Sequence, residues 1–135
     1  MNRLAEEPRW LPRAAIEAAQ ADQIRTHGGQ LGLRDEGLLE SALARAEQRW
    51  HYAPDADLAD LAAAYGCGLV NNHPFLDGNK RIGLIAMNMF LILNGKEIEA
   101  AEPEIVEKVL GIAKGEIGEE TLSSWLRSVM VTYAP

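Results

Sequence analysis

"HPFLDGNKRIGLIAMNMFLIL", residues 73–93, passes from a polar loop straight into an apolar run. His73 and Asp77 stand on either side of Phe75, Gly78 and Asn79 follow, and Lys80 and Arg81 come side by side. From Ile82 to Leu93 only Gly83 and Asn88 are not apolar. A segment with no polar face predicts a helix wrapped by other helices, here starting at about Asn79. The helix macrodipole disfavours cations at that end, so Lys80 and Arg81 need another reason to be there.

Working outward, helical periodicity continues almost throughout. Pro12 suits a first turn, and Ile16, Ala19, Gln20 and Ile24 recur at helical spacing until "HGG" stops them. Asp35 reads as the N-cap of a second helix that presents Leu39, Ala42, Leu43, Ala46 and Trp50 on one face. After Pro54 a third helix is expected from about Leu58 to Val70. Gly66 and Gly68 inside it cost roughly 1 kcal/mol each against alanine, tolerable where the next helix approaches closely. "NGKEIEAAEPE" reads as a turn with a short extended piece, and Pro103 opens a further helix. A last helix shows Leu122, Trp125, Leu126, Val129, Met130 and Tyr133 at steps of three and four. The expected fold is all-α, one domain over residues 1–135, with five to six or more helices around a buried central helix.

Composition narrows the function. The chain is 47% hydrophobic, long enough for a real core and too apolar for disorder. A net charge of −7 speaks against direct binding to nucleic acid or an anionic membrane. Residues 71–96 are the local exception, with Lys80, Arg81 and Lys96 against Asp77 alone. The single cysteine, Cys67, excludes an intrachain disulfide and fits a reducing compartment. The start, "MNRLAEEPRWLP", lacks a signal-peptide core, and Ile82–Leu93 is too short to span a bilayer. A cytoplasmic protein is expected.

The polar residues of the opening stretch all fall at the N-terminus of the apolar helix. Free N–H groups and partial positive charge there hold phosphates. Gly78, Asn79 and Lys80 can form an anion nest, with Lys80 and Arg81 adding full charges. Asp77 offers a hard oxygen for Mg²⁺, and His73 can take a proton from a hydroxyl near neutral pH. Together these make a phosphoryl- or nucleotidyl-transfer site. Each residue also admits a plainer role: Asp77 as a helix cap, His73 as a core histidine, Lys80 and Arg81 as a solvated first turn, Phe75 as a core anchor.

"HPFLDGNKR" resembles the signature of the Fic/Doc superfamily, and the whole chain resembles its death-on-curing (Doc) branch. "GLRDEGLLESALARAEQ" and "GEIGEETLSSWL" share that likeness, which runs from about Ile16 to Leu126. The resemblance implies a helical Fic fold and the toxin of a toxin–antitoxin pair. It implies His73 as catalytic base, Phe75 as anchor, Asp77 as Mg²⁺ ligand, and Gly78, Asn79, Lys80 and Arg81 on the phosphates of ATP. AMP-transferring members read G-N-G-R-x-x-R, whereas here Lys80 replaces the second glycine and Leu84 the second arginine. In Doc-type proteins a similar lysine goes with transfer of the γ-phosphate, to a threonine of elongation factor Tu. The resemblance therefore implies a kinase; AMP or nucleotidyl transfer and a catalytically silent binding module are the rival readings. The family's inhibitory helix, [S/T]-x-x-x-E-[G/N], has no match, since Gly32 stands four before Glu36-Gly37. A separate antitoxin protein is the implied restraint. His27 reads as a helix-end dipole partner, and His51 as a loop residue or a neighbour of a substrate-positioning flap.

Overall fold

In a computed structural model, which describes residues 6–135, six helices form where apolar spacing places them. They are α1 (Arg13–His27), α2 (Glu36–Tyr52), α3 (Leu58–Asn72), α4 (Asn79–Leu93), α5 (Glu102–Ala113) and α6 (Glu119–Val129). The reading of the chain's start falls partly on residues 1–5, outside the described residues. The helix ends follow local chemistry. Gly28, at φ 82°, stops α1. Asp35 caps α2 by accepting from Leu38 N–H at 2.9 Å. Asp57 and Asp60 cap α3 reciprocally, each carboxylate accepting the other's backbone N–H at 3.0 Å.

The fold is all-α with one small sheet, and the enclosed helix is α3 rather than α4. Every residue from Leu61 to Val70 is buried, and α3 packs against α2, α4, α5 and α6. α4 is buried along Ile82, Gly83, Ala86, Met87, Phe90 and Leu91, but Leu84, Ile85 and Met89 are only half-buried and Leu93 is exposed. Small side chains decide the difference: alanines and glycines let neighbours close around α3 from all sides, whereas the nearly unbroken run of large apolar residues from Ile82 to Leu93 favours α4. A Cβ on Gly83 would sit 2.6 Å from Val70 Cγ2, and one on Gly66 would sit 2.6 Å from Met87 Sδ. Gly66 therefore serves the approach of the next helix as expected. Gly68 instead lies against the backbone of Ala42, in the preceding helix α2.

The C-terminal end differs from its periodicity. α6 stops at Val129, and β2 (Met130–Thr132) pairs antiparallel with β1 (Lys96–Ile98) in the register Ile98 to Met130. Met130 is thus in a strand and Tyr133 beyond it. A new partner accompanies the switch: β1 supplies backbone hydrogen bonds in place of the intrahelical ones. Asn88, the polar residue inside the apolar run, accepts from Ile98 N–H at 3.2 Å and ties this ribbon to α4. No helix among the described residues is long and apolar enough to cross a membrane.

The segment before α1 closes the bundle next to the ribbon. Leu11 N–H donates to the buried Tyr65 hydroxyl at 3.1 Å, and Trp10 stacks on Phe90 with ring centroids 6.0 Å apart. Burial pushes the Tyr65 phenol up from its ordinary range. The same effect pushes the Cys67 thiol up to about 12, so it is a packing residue, not a nucleophile.

Candidate active site

Residues 73–78 form the loop between α3 and α4, and a second loop, residues 28–35, lies alongside it. Leu33 and Phe75 face each other in an antiparallel bridge, with Leu76 N–H on Gly32 O at 3.0 Å and Arg34 N–H on Pro74 O at 2.7 Å. Phe75 is the expected anchor, 1% exposed. Asn79 holds the loop shut: its amide accepts from Phe75 N–H at 2.9 Å and donates to Phe75 O at 3.0 Å. Asn79 is 3% exposed, so its side chain is turned into the fold and only its backbone N–H is available for an anion.

His73 is exposed, not a core histidine. It ends α3 in the left-handed conformation, φ 54° and ψ 52°, the one non-glycine residue with positive φ among the described residues. Such a conformation costs a β-carbon-bearing residue on the order of 1 kcal/mol and persists only where its surroundings impose it.

Asp77 is also exposed, and it is not the helix cap, a position taken by Gly78 at φ 87°. One oxygen of Asp77, Oδ2, accepts from Gln30 N–H at 2.7 Å. Oδ1 remains available to a cation. Gly29 makes this approach possible, since a Cβ there would lie 3.1 Å from Asp77 Cβ.

The first intrahelical bond of α4 runs from Ile82 N–H to Gly78 O at 2.9 Å, leaving the N–H groups of Asn79, Lys80 and Arg81 without helical acceptors. Lys80 and Arg81 are both exposed on that turn. A free oxygen on Asp77 beside this turn fits a magnesium–phosphate ligand, with the N–H groups and cations facing phosphate and the carboxylate facing the metal. Arg81 also borders two hollows. One, of about 240 Å³, is shared with Lys80, Leu84, Glu102 and Val106. The other, of about 190 Å³, is shared with Gln23, His27 and Glu102. His27, in the last turn of α1, thus comes near the site.

Three residues of the site's framework escaped the sequence reading. Gln20, 1% exposed, donates to Asp77 O at 3.2 Å and Gln30 O at 3.3 Å, and accepts from Gly32 N–H at 3.3 Å. One amide thereby joins α1, the 28–35 loop and the 73–78 loop. A glutamine on the apolar face of α1 was the available signal. Arg34 and Gln30 carried no comparable signal, because their roles depend on two loops meeting.

The segment beside the motif is therefore the loop 28–35, not the region of His51. His51 lies in the last turn of α2, with its ring edge-on to Trp50 and beside Glu47 and Tyr52. A further cavity, of about 550 Å³, lies between α2, α3 and α6 at the other end of α3. It is not a vacant anion site, since Arg49 and Arg127 already pair with Glu119 at 2.9 Å and Asp57 at 2.8 Å, and Arg45 pairs with Glu119.

A profile of the Fic/DOC family matches residues 10–91, which include both loops and all of α2, α3 and the site. The chain belongs to the Fic/DOC family. Among its relatives, "Protein kinase doc" of Escherichia phage P1 is 33% identical over 104 residues, covering 77% of this chain and 82% of that protein. "Toxin Doc" of Mycolicibacterium smegmatis is 45% identical over 75 residues, covering 54% of this chain and 57% of that protein. The Fic/DOC match ends within α4, so α5, α6 and the ribbon lie beyond it.

Proposed function

We propose that this chain is a Doc-type toxin that transfers the γ-phosphate of ATP to a hydroxyl of a protein target, a threonine of elongation factor Tu, and so arrests translation. The observation that carries the reading is Lys80, an exposed cation on the free N-terminal turn of α4 where AMP-transferring members have glycine. The printed name of the phage relative, a protein kinase, points the same way.

In this reading His73 accepts the proton of the target hydroxyl as its oxygen attacks the γ-phosphorus. The bond from that phosphorus to the bridging oxygen breaks, and ADP leaves. The N–H groups of Asn79, Lys80 and Arg81, with the two cationic side chains, hold the phosphates and offset their charge. Asp77 would hold Mg²⁺, which would supply further charge neutralisation on the triphosphate. The 28–35 loop borders the site and is the place for the target's own backbone. A separate antitoxin completes the proposal as its partner; Glu36, the nearest approach to an inhibitory glutamate, opens α2 and pairs with Arg13 at 3.0 Å.

Purified chain, Mg²⁺, elongation factor Tu and ATP labelled at either the α or the γ phosphate test this directly. Label arriving only from the γ position is the expected result. Label from the α position establishes nucleotidyl transfer instead, and no label from either removes elongation factor Tu as the target.

A further inference from the structure

We propose that Arg34 is a positioning residue that sets the direction of the His73 imidazole by clamping three consecutive carbonyls. Its Nη2 donates to Asn72 O at 2.8 Å, its Nε to His73 O at 2.6 Å, and its backbone N–H to Pro74 O at 2.7 Å. One residue of the 28–35 loop thus takes hold of the whole exit from α3.

The exit needs such a hold. A residue before proline is driven toward extended backbone, yet His73, which precedes Pro74, sits at φ 54° and ψ 52°. Left-handed and extended backbones send the Cα–Cβ bond in different directions, so the aim of the imidazole depends on which one is kept. The last carbonyls of α3 lack helical donors, and a cation there is favoured by the helix dipole. Arginine suits the place because its planar fork reaches two adjacent carbonyls at once, which a lysine ammonium cannot do in fixed geometry. Asn72 steadies the same turn from the other side by donating to Leu38 O in α2 at 3.0 Å. Arg34 is engaged with backbone rather than with the site's open face, so it acts through His73.

This inference rests on His73 being the base of the proposed transfer, and two readouts separate the two ideas. Arg34→Ala and Arg34→Lys are compared with the natural chain. The backbone NMR shifts of His73, without nucleotide, report its conformation. Steady-state γ-phosphate transfer reports its use.

In Arg34→Ala the His73 shifts should move from left-handed toward extended values. Its kcat should fall about 100-fold, as for a displaced catalytic group, with KM for ATP changed less than about twofold. Arg34→Lys should fall between the two, and millimolar methylguanidinium should restore Arg34→Ala but not Arg34→Lys. Unmoved His73 shifts in Arg34→Ala overturn the proposal, as does a loss confined to KM. If the natural chain transfers no phosphate, the kinase reading fails and the His73 shifts alone decide the positioning role.

Discussion

Asn79→Ala distinguishes a structural clamp from a phosphate ligand. The side-chain amide makes two hydrogen bonds to Phe75, at 2.9 and 3.0 Å, in a place 3% exposed. Alanine leaves a buried N–H and a buried C=O without partners. Each such group costs about 1–3 kcal/mol, so the pair should cost about 2–4 kcal/mol after partial relaxation. Alanine's better helix propensity returns at most about 0.5 kcal/mol. Against a typical total of about 5–15 kcal/mol this is a large loss. With a urea slope of about 2 kcal/mol/M, the midpoint should fall by about 1–2 M with the slope unchanged. Urea unfolding followed by circular dichroism, with nucleotide absent because binding would mask the loss, makes the measurement. A midpoint shift below about 0.3 M would refute the clamp. Intact stability with weakened Mg²⁺–ADP affinity would instead place the amide on phosphate.

Three further outcomes are expected. His73→Gly and His73→Ala should both abolish transfer, but the glycine variant should be the more stable by about 1 kcal/mol, because φ 54° suits glycine; equal midpoints would show that the turn is unstrained. Gly83→Ala should cost about 1–3 kcal/mol, since its Cβ meets the stiff Val70 and the Gly66 carbonyl at 3.3 Å. Gly66→Ala should cost less because Met87 can re-route, and the reverse order by urea titration would contradict the packing. Asp57 is the pH-dependent element: burial alone would raise its carboxyl, but hydrogen bonds from Arg127 and then Asp60 hold it below the ordinary range. Folding thus favours the charged form, so its contribution is present above about pH 4 and is lost as pH falls through the lower folded value. Natural chain and Asp57→Asn should differ modestly at pH 6 and converge in acid; a gap that widens below pH 4 would reverse the sign.

What could be read without coordinates was local. Helix periodicity, the Asp35 cap, the Gly28 stop and the nearness of His73, Asp77 and Lys80 are properties of neighbouring residues, and a nine-residue motif already brings its own parts together. Phe75 could be read as an anchor because an aromatic residue in a polar loop has few other uses. The rest required distant segments to meet. The nearly unbroken apolar run from Ile82 to Leu93 pointed to α4 as the centre, but packing around alanines and glycines made it α3. Gly68 gained its purpose from α2, and Met130 left its helix for β1. Arg34, Gln30 and Gln20 entered the site only because the loop after α1 lies against the loop after α3. Periodicity records which face of a helix is apolar; it does not record which helix covers that face, and a buried hydrogen bond between loops leaves no period at all.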